Sequence, residues 1–193
     1  FGIEEVAFPL LSGDHPDKEE LQQFKELIYE NMPLTHETTM SILQLRGENV
    51  MNTLSRSVLE MYNFDSKPDD LSPENQMRQS VELISRFPTV IAYAYNVLRH
   101  HNKERSLHIR HPHENLSLSE NFLHMLKRDY TELEARMLDL LLILQAEHGG
   151  GNNSPFTVRV TSSTMTDIYF SIAAGIGSLK GQFHGGENLT LAH

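Results

Sequence analysis

The stretch Leu138-Asp-Leu-Leu-Leu-Ile-Leu-Gln-Ala-Glu-His148 constrains this chain more than any other. Its pattern is apolar at Leu133, Met137, Leu140, Leu141 and Leu144, and again at Leu138, Leu142 and Ile143. So wide an apolar circumference predicts a central helix, covered by neighbours or by another subunit. The helix runs straight into Gly149-Gly150-Gly151-Asn152-Asn153-Ser154, which predicts its end at His148. A second histidine, His184, sits in Gly181-Gln-Phe-His-Gly-Gly-Glu-Asn188, again where a helical pattern yields to glycines. Two imidazoles at helix mouths, 36 positions apart, form a candidate catalytic pair.

The rest of the chain reads as helical scaffold. Gly2 to Leu11 is apolar at helical spacing, and Gly13 closes it. Asp17-Lys-Glu-Glu20 has the form of a capping box, with Leu21, Phe24, Leu27 and Ile28 facing inward. Thr35 caps a helix carrying Met40, Leu43 and Leu45, and Val50 to Tyr62 bears the stripe Met51, Leu54, Val58 and Met61. Ser72-Pro73-Glu74 opens a long pattern to about Asn102, which Pro88 is expected to break or kink. His100 to Glu114 holds five histidines without a clear period and reads as an exposed loop, with no metal site expected. Ser117-Leu-Ser-Glu120 starts another helix, with Phe122, Leu123 and Leu126 inward, and Asp167 caps a last one from Ile168 to Leu179. Only Val158 to Val160 suggests a strand, so the fold class is all-α. Gly175, Gly177 and Gly181 read as close helix packing, because no strand precedes them and the spacing is not that of a phosphate loop.

Composition narrows the function classes. A net charge of −10 without long like-charged runs argues against nucleic acid and against an anionic membrane surface. The chain contains no cysteine, which removes disulfide scaffolds, thiolate metal sites and cysteine nucleophiles, and a cytoplasmic location is expected. The longest apolar run, Leu140 to Leu144, is too short to span a bilayer, and no secretory signal opens the sequence. The first residue is Phe1, already inside a helical pattern, so a piece of a longer protein is expected.

Several motifs together resemble the citrate synthase family. They are Leu142 to His148, Asn153-Ser154, Thr157-Val-Arg159, Ala173 to Gly181 and His184-Gly-Gly-Glu-Asn188, with the likeness continuing upstream to Gly2. The match is equally good to 2-methylcitrate synthase. The resemblance implies a multihelical fold, with residues 1–149 part of a large helical domain and 150–193 the beginning of a small one. It implies condensation of acetyl-CoA or propionyl-CoA with oxaloacetate, in a homodimer and with no cofactor beyond the coenzyme A thioester itself. His148 is assigned to the thioester carbonyl, donating a hydrogen bond as the enol forms, and His184 to the carbonyl of the oxo acid. Ser178, Leu179, Lys180, Gly181, Gln182 and Phe183 match the loop that meets the adenine end of coenzyme A. Arg159 is a further substrate-binding candidate, toward a carboxylate or a coenzyme A phosphate, with a surface salt bridge as the alternative reading.

Departures from the family pattern matter as much. The aspartate that takes the alpha proton, and most carboxylate-binding arginines, fall downstream of the second histidine motif, whereas this sequence ends nine residues after His184. Asp139 and Asp167 are not substitutes. Met165 stands where relatives often have Gly, and Glu187 where they usually have Ala. The 193-residue chain is therefore expected to be a fragment, inactive by itself. A second reading is a non-catalytic coenzyme A-binding or dimerisation module.

Overall fold

The computed structural model describes residues 2–103, 106–146 and 151–185, and within them every regular element is an α-helix. The order is α1 Ile3–Ser12, α2 Lys18–Asn31, α3 His36–Gln44, α4 Val50–Tyr62, α5 Pro73–Lys103, α6 Leu118–Leu126, α7 Glu132–Ala146, α8 Asn153–Ser162 and α9 Ile168–Lys180. Among the described residues no helix is long and apolar enough to cross a membrane. Local chemistry starts and stops these helices as the sequence signals. Asp17–Glu20 and Ser117–Glu120 both form reciprocal capping boxes, Thr35 and Asp167 cap α3 and α9, and Gly13 closes α1 at φ 87°. Val158 to Val160 lies inside α8 rather than in a strand.

α5 is the axis on which α2, α3, α4, α6 and α9 pack. It contributes Leu83, Val90, Ala92, Tyr93 and Ala94 to a core shared with Ile42, Leu54, Val58, Met61, Met125, Tyr169 and Ile176. A second cluster joins Ala7, Phe24, Ile28, Met32, Val81 and Leu118, with the Phe8 ring edge-on to Phe24 at 5.3 Å. α5 continues through Pro88 as one helix, so of the expected break or kink the break does not occur. A proline there forfeits one backbone donor and costs about 3 kcal/mol. Burial on both sides of it outweighs that cost: Ser85, Thr89 and Val90 are fully enclosed, and the Thr89 hydroxyl donates to the Met32 carbonyl at 2.9 Å. The helix is thereby held beside Pro88 by the end of α2 and the core.

Two more elements differ from expectation. On α3 the buried apolar residue is Ile42, whereas Met40 is exposed. The histidine-rich segment is anchored rather than wholly solvated. α5 extends through His100 and His101, Nδ1 of His111 meets the Tyr93 hydroxyl at 3.1 Å, and Asn121 fastens His113 through both its N–H and its carbonyl. Among the described residues no group of three or more His, Asp or Glu side chains is placed to hold a metal ion.

α7 occupies the periphery rather than the centre. Ala135 is its one buried residue among those described, and it rests on α1 and α6. Asp139 fastens that inner side by accepting from the Ile3 N–H at 3.2 Å and the Ser119 hydroxyl at 2.7 Å. The outer side, Leu133, Met137, Leu140, Leu141 and Leu144, is 55–67% exposed. Among the described residues no helix covers it.

α9 is drawn into the core at its start. Tyr169 donates to Asp65 Oδ2 at 2.7 Å, and the same carboxylate accepts from Arg78 at 2.6 Å, Gln79 at 2.8 Å and the Lys67 N–H at 2.8 Å. Burial alone would raise the Asp65 carboxyl, but these four donors outweigh it and hold the group down at about 2. Across the expected division at residue 149, Tyr169 and Ile176 thus share one core with α4 and α5.

Candidate active site

His184 lies in a turn folded under the end of α9. The Gly181 N–H donates to the Ser178 carbonyl at 3.1 Å, and the His184 N–H donates to the Gly181 carbonyl at 3.0 Å. The Gly185 N–H closes the turn onto the Leu179 carbonyl at 3.1 Å. A Cβ at Gly185 would stand 2.4 Å from that carbonyl oxygen, so only glycine permits the closure. The backbone therefore fixes where the imidazole emerges. The ring is half-buried, and its Nε2 lies 3.0 Å from the Ser154 hydroxyl, on the first turn of α8.

The α8–α9 contact sets that distance. Gly175 is buried where a Cβ would lie 2.6 Å from Val158 Cγ2 and 3.6 Å from the Ser154 carbonyl oxygen. The small residue lets the helices approach, as the packing reading of this glycine expects. Asn152 caps α8 by accepting from the Ser154 N–H at 2.8 Å, which orients the serine toward the turn. Sequence reasoning quoted Ser154 within a motif without giving it a role. Its position two residues after a helix cap, in line with the glycine of α9, was the available signal.

The other site residues distribute unevenly. Ser178 is half-buried, whereas Leu179, Lys180, Gly181 and Gln182 are exposed and Phe183 is 95% exposed. These residues form one continuous surface with the His184 turn. Arg159 is exposed on α8, about 140° around the helix from Ser154, and pairs with no carboxylate among the described residues. The structure therefore does not bring it beside His184. His148, the other half of the expected pair, lies outside the described residues, as does Glu187. Asp139 and Asp167 are both committed elsewhere, the first to α1 and α6 and the second to the Phe170 N–H at 2.9 Å.

The family model for the citrate synthase C-terminal domain matches residues 1–193. The chain belongs to the citrate synthase family. It is 34% identical over 188 residues to a citrate synthase of Deinococcus radiodurans, covering 96% of this chain and 48% of that protein. It is 31% identical over 189 residues to a citrate/2-methylcitrate synthase of Bacillus subtilis, covering 95% and 48%. The crystal structure of citrate synthase from Pyrobaculum aerophilum superposes with a TM-score of 0.86 at 30% identity, over 98% of this chain and 48% of the other. This member of the family therefore spans about half the length of the relatives it matches. The all-α fold implied by the citrate synthase resemblance is the fold observed.

Proposed function

We propose that the protein condenses an acyl-CoA thioester with oxaloacetate, as an acyltransferase of the citrate synthase type. The α-carbon of the thioester loses a proton and attacks the keto carbon, whose oxygen becomes a hydroxyl. Water then cleaves the thioester, releasing coenzyme A. Acetyl-CoA gives citrate by this route, and propionyl-CoA gives 2-methylcitrate. Coenzyme A enters as part of the substrate, so no separate cofactor is invoked.

The observation that carries the reading is the imidazole of His184, positioned by a glycine-dependent turn and steadied by Ser154 at 3.0 Å. With Nε2 engaged by the serine, Nδ1 remains for the carbonyl of the oxo acid, which it polarises and protonates. His148 is proposed to donate to the thioester oxygen as enolate charge develops there. Histidine suits both tasks because its ordinary pKa, about 6.5, lies near working pH. The exposed backbone of residues 181–183 is proposed to meet the adenine end of coenzyme A, and Arg159, without a carboxylate partner among the described residues, to meet one of its phosphates.

The base that takes the alpha proton is not supplied by Asp139 or Asp167, whose carboxylates are occupied in holding helices together. On this reading the 193-residue chain alone does not turn over, and activity belongs to a protein of the relatives' length. The decisive test is coenzyme A thiol release by the full-length protein with oxaloacetate and either acetyl-CoA or propionyl-CoA. Release with at least one donor is expected, and the ratio of kcat/KM values assigns the preference. No release with either overturns the proposal.

We propose a homodimer as the working form. The outward apolar stripe of α7 is then the surface a second copy covers. Sedimentation of the full-length protein should give a dimer, and Leu140→Asp/Leu144→Asp should shift it to monomer. A wild-type monomer at working concentration contradicts this.

A further inference from the structure

A cleft of about 470 Å³ lies between the end of α5, the segment before α6 and the end of α6. Among the described residues its charged lining is entirely basic, namely Arg99, Arg110, Lys127 and Arg128, beside His108 and Ser106. The protein as a whole carries a net charge of −10, so this concentration of positive charge runs against the overall balance. None of its lining residues belongs to α8, α9 or the His184 turn.

The cations are not neutralised from within. Lys127 pairs with Glu134, but Arg99, Arg110 and Arg128 have no carboxylate partner among the described residues. Arg99 and Arg110 are also half-buried, which restricts the positions their side chains can take. An anion entering the cleft would meet these groups with their charge uncompensated. The end of α6 brings only a fraction of a negative charge, and Asn96 already donates to its Met125 carbonyl at 3.2 Å.

The cationic groups are also held in place. The Arg99 guanidinium lies over the Tyr95 ring, 5.5 Å from its centroid. Arg110 sits between Ile109, packed on the main core, and His111, bonded to Tyr93. Lys127 and Arg128 follow α6 directly, with the Lys127 N–H donating to the Leu123 carbonyl at 2.9 Å. Planar guanidinium forks on such supports suit bidentate contacts to anionic oxygens. A volume of this size admits a small molecule rather than a chain segment.

We propose that this cleft, built without any residue of α8, α9 or the His184 turn, is a binding site for a small polyanion bearing two or more phosphate or carboxylate groups. Arg99, Arg110 and Arg128 supply the charge-assisted hydrogen bonds, and Lys127 and His108 flank them. Affinity depends on ionic strength, because the site is open to solvent on one side.

Calorimetric titration of the full-length protein with sodium tripolyphosphate and, separately, with propane-1,2,3-tricarboxylate tests this and distinguishes phosphate from carboxylate sources. Saturable binding of at least one anion is expected. Arg110→Gln/Arg128→Gln should weaken it at least tenfold with an unchanged melting temperature, and the exposed single change Arg128→Gln should weaken it measurably. Lys18→Gln/Lys67→Gln removes equal charge from elsewhere on the surface and should leave affinity within twofold. Absence of saturable binding by both anions overturns the proposal. So does undiminished binding by the double arginine variant, or an equal loss in the lysine control. These readouts are independent of thiol release, so the failure of one proposal leaves the other standing.

Discussion

Met125 at the end of α6 is fully enclosed, whereas Leu144 on α7, equally apolar, is 60% exposed. The two stand for two regions of the molecule. In the inner region, α4, α5, α6 and α9 bury apolar side chains together with a saturated polar network around Asp65. In the outer region, α7 and α8 turn comparable apolar side chains toward solvent. Hydrophobicity along the sequence marks both regions alike. What separates them is whether this chain provides the opposing surface.

The strongest test of the inner region is Asp65→Ala. It leaves Arg78, Gln79 and Tyr169 short of an acceptor, and should cost about 3 to 4 kcal/mol in urea denaturation. The pH dependence has a definite sign. A carboxyl held below its ordinary value of 3.8 stabilises the fold above that value, and the contribution is lost as pH falls toward about 2. The gap between wild type and Asp65→Ala should therefore close between about pH 4 and pH 2. A constant gap would mean that the network contributes through packing alone.

Next in size is a matched pair of truncations. Met125→Ala should cost about 3 kcal/mol through the cavity it leaves. Leu144→Ala should change the stability of the separated subunit by less than about 0.5 kcal/mol. Equal costs would erase the distinction between the regions.

Gly175→Ala probes the seam between them, because the added methyl would meet Val158 Cγ2 at 2.6 Å. A loss of about 2 kcal/mol is expected, with α8 displaced from α9. The smallest effect is Met165→Gly. Met165 holds φ 63°, a conformation that disfavours side chains, so glycine should stabilise by about 0.5 kcal/mol after its extra unfolded-state entropy is subtracted.

Helix boundaries were legible where capping chemistry is local. Asp17 with Glu20, Ser117 with Glu120, and Gly13 each act within a few residues of themselves. Pro88 does not end α5 because its local cost is opposed by burial beside it, including the Thr89 contact made 57 residues away, at Met32. The α7 stretch was misleading for the same kind of reason: an apolar circumference reports a need for cover but not what provides it. Of the site, the His184 turn was legible from its glycines and its likeness to a family motif. The Ser154 contact was not, since it joins residues 30 positions apart across a helix pair whose approach depends on Gly175.

The central claim is that His184, aimed by its turn, acts on the oxo-acid carbonyl. It is tested most directly by single-turnover and steady-state kinetics of His184→Gln in the full-length protein, with oxaloacetate and the preferred acyl-CoA. The account predicts a fall in kcat of about 10²- to 10⁴-fold with an unchanged fold by circular dichroism. A variant that turns over at the wild-type rate would contradict it.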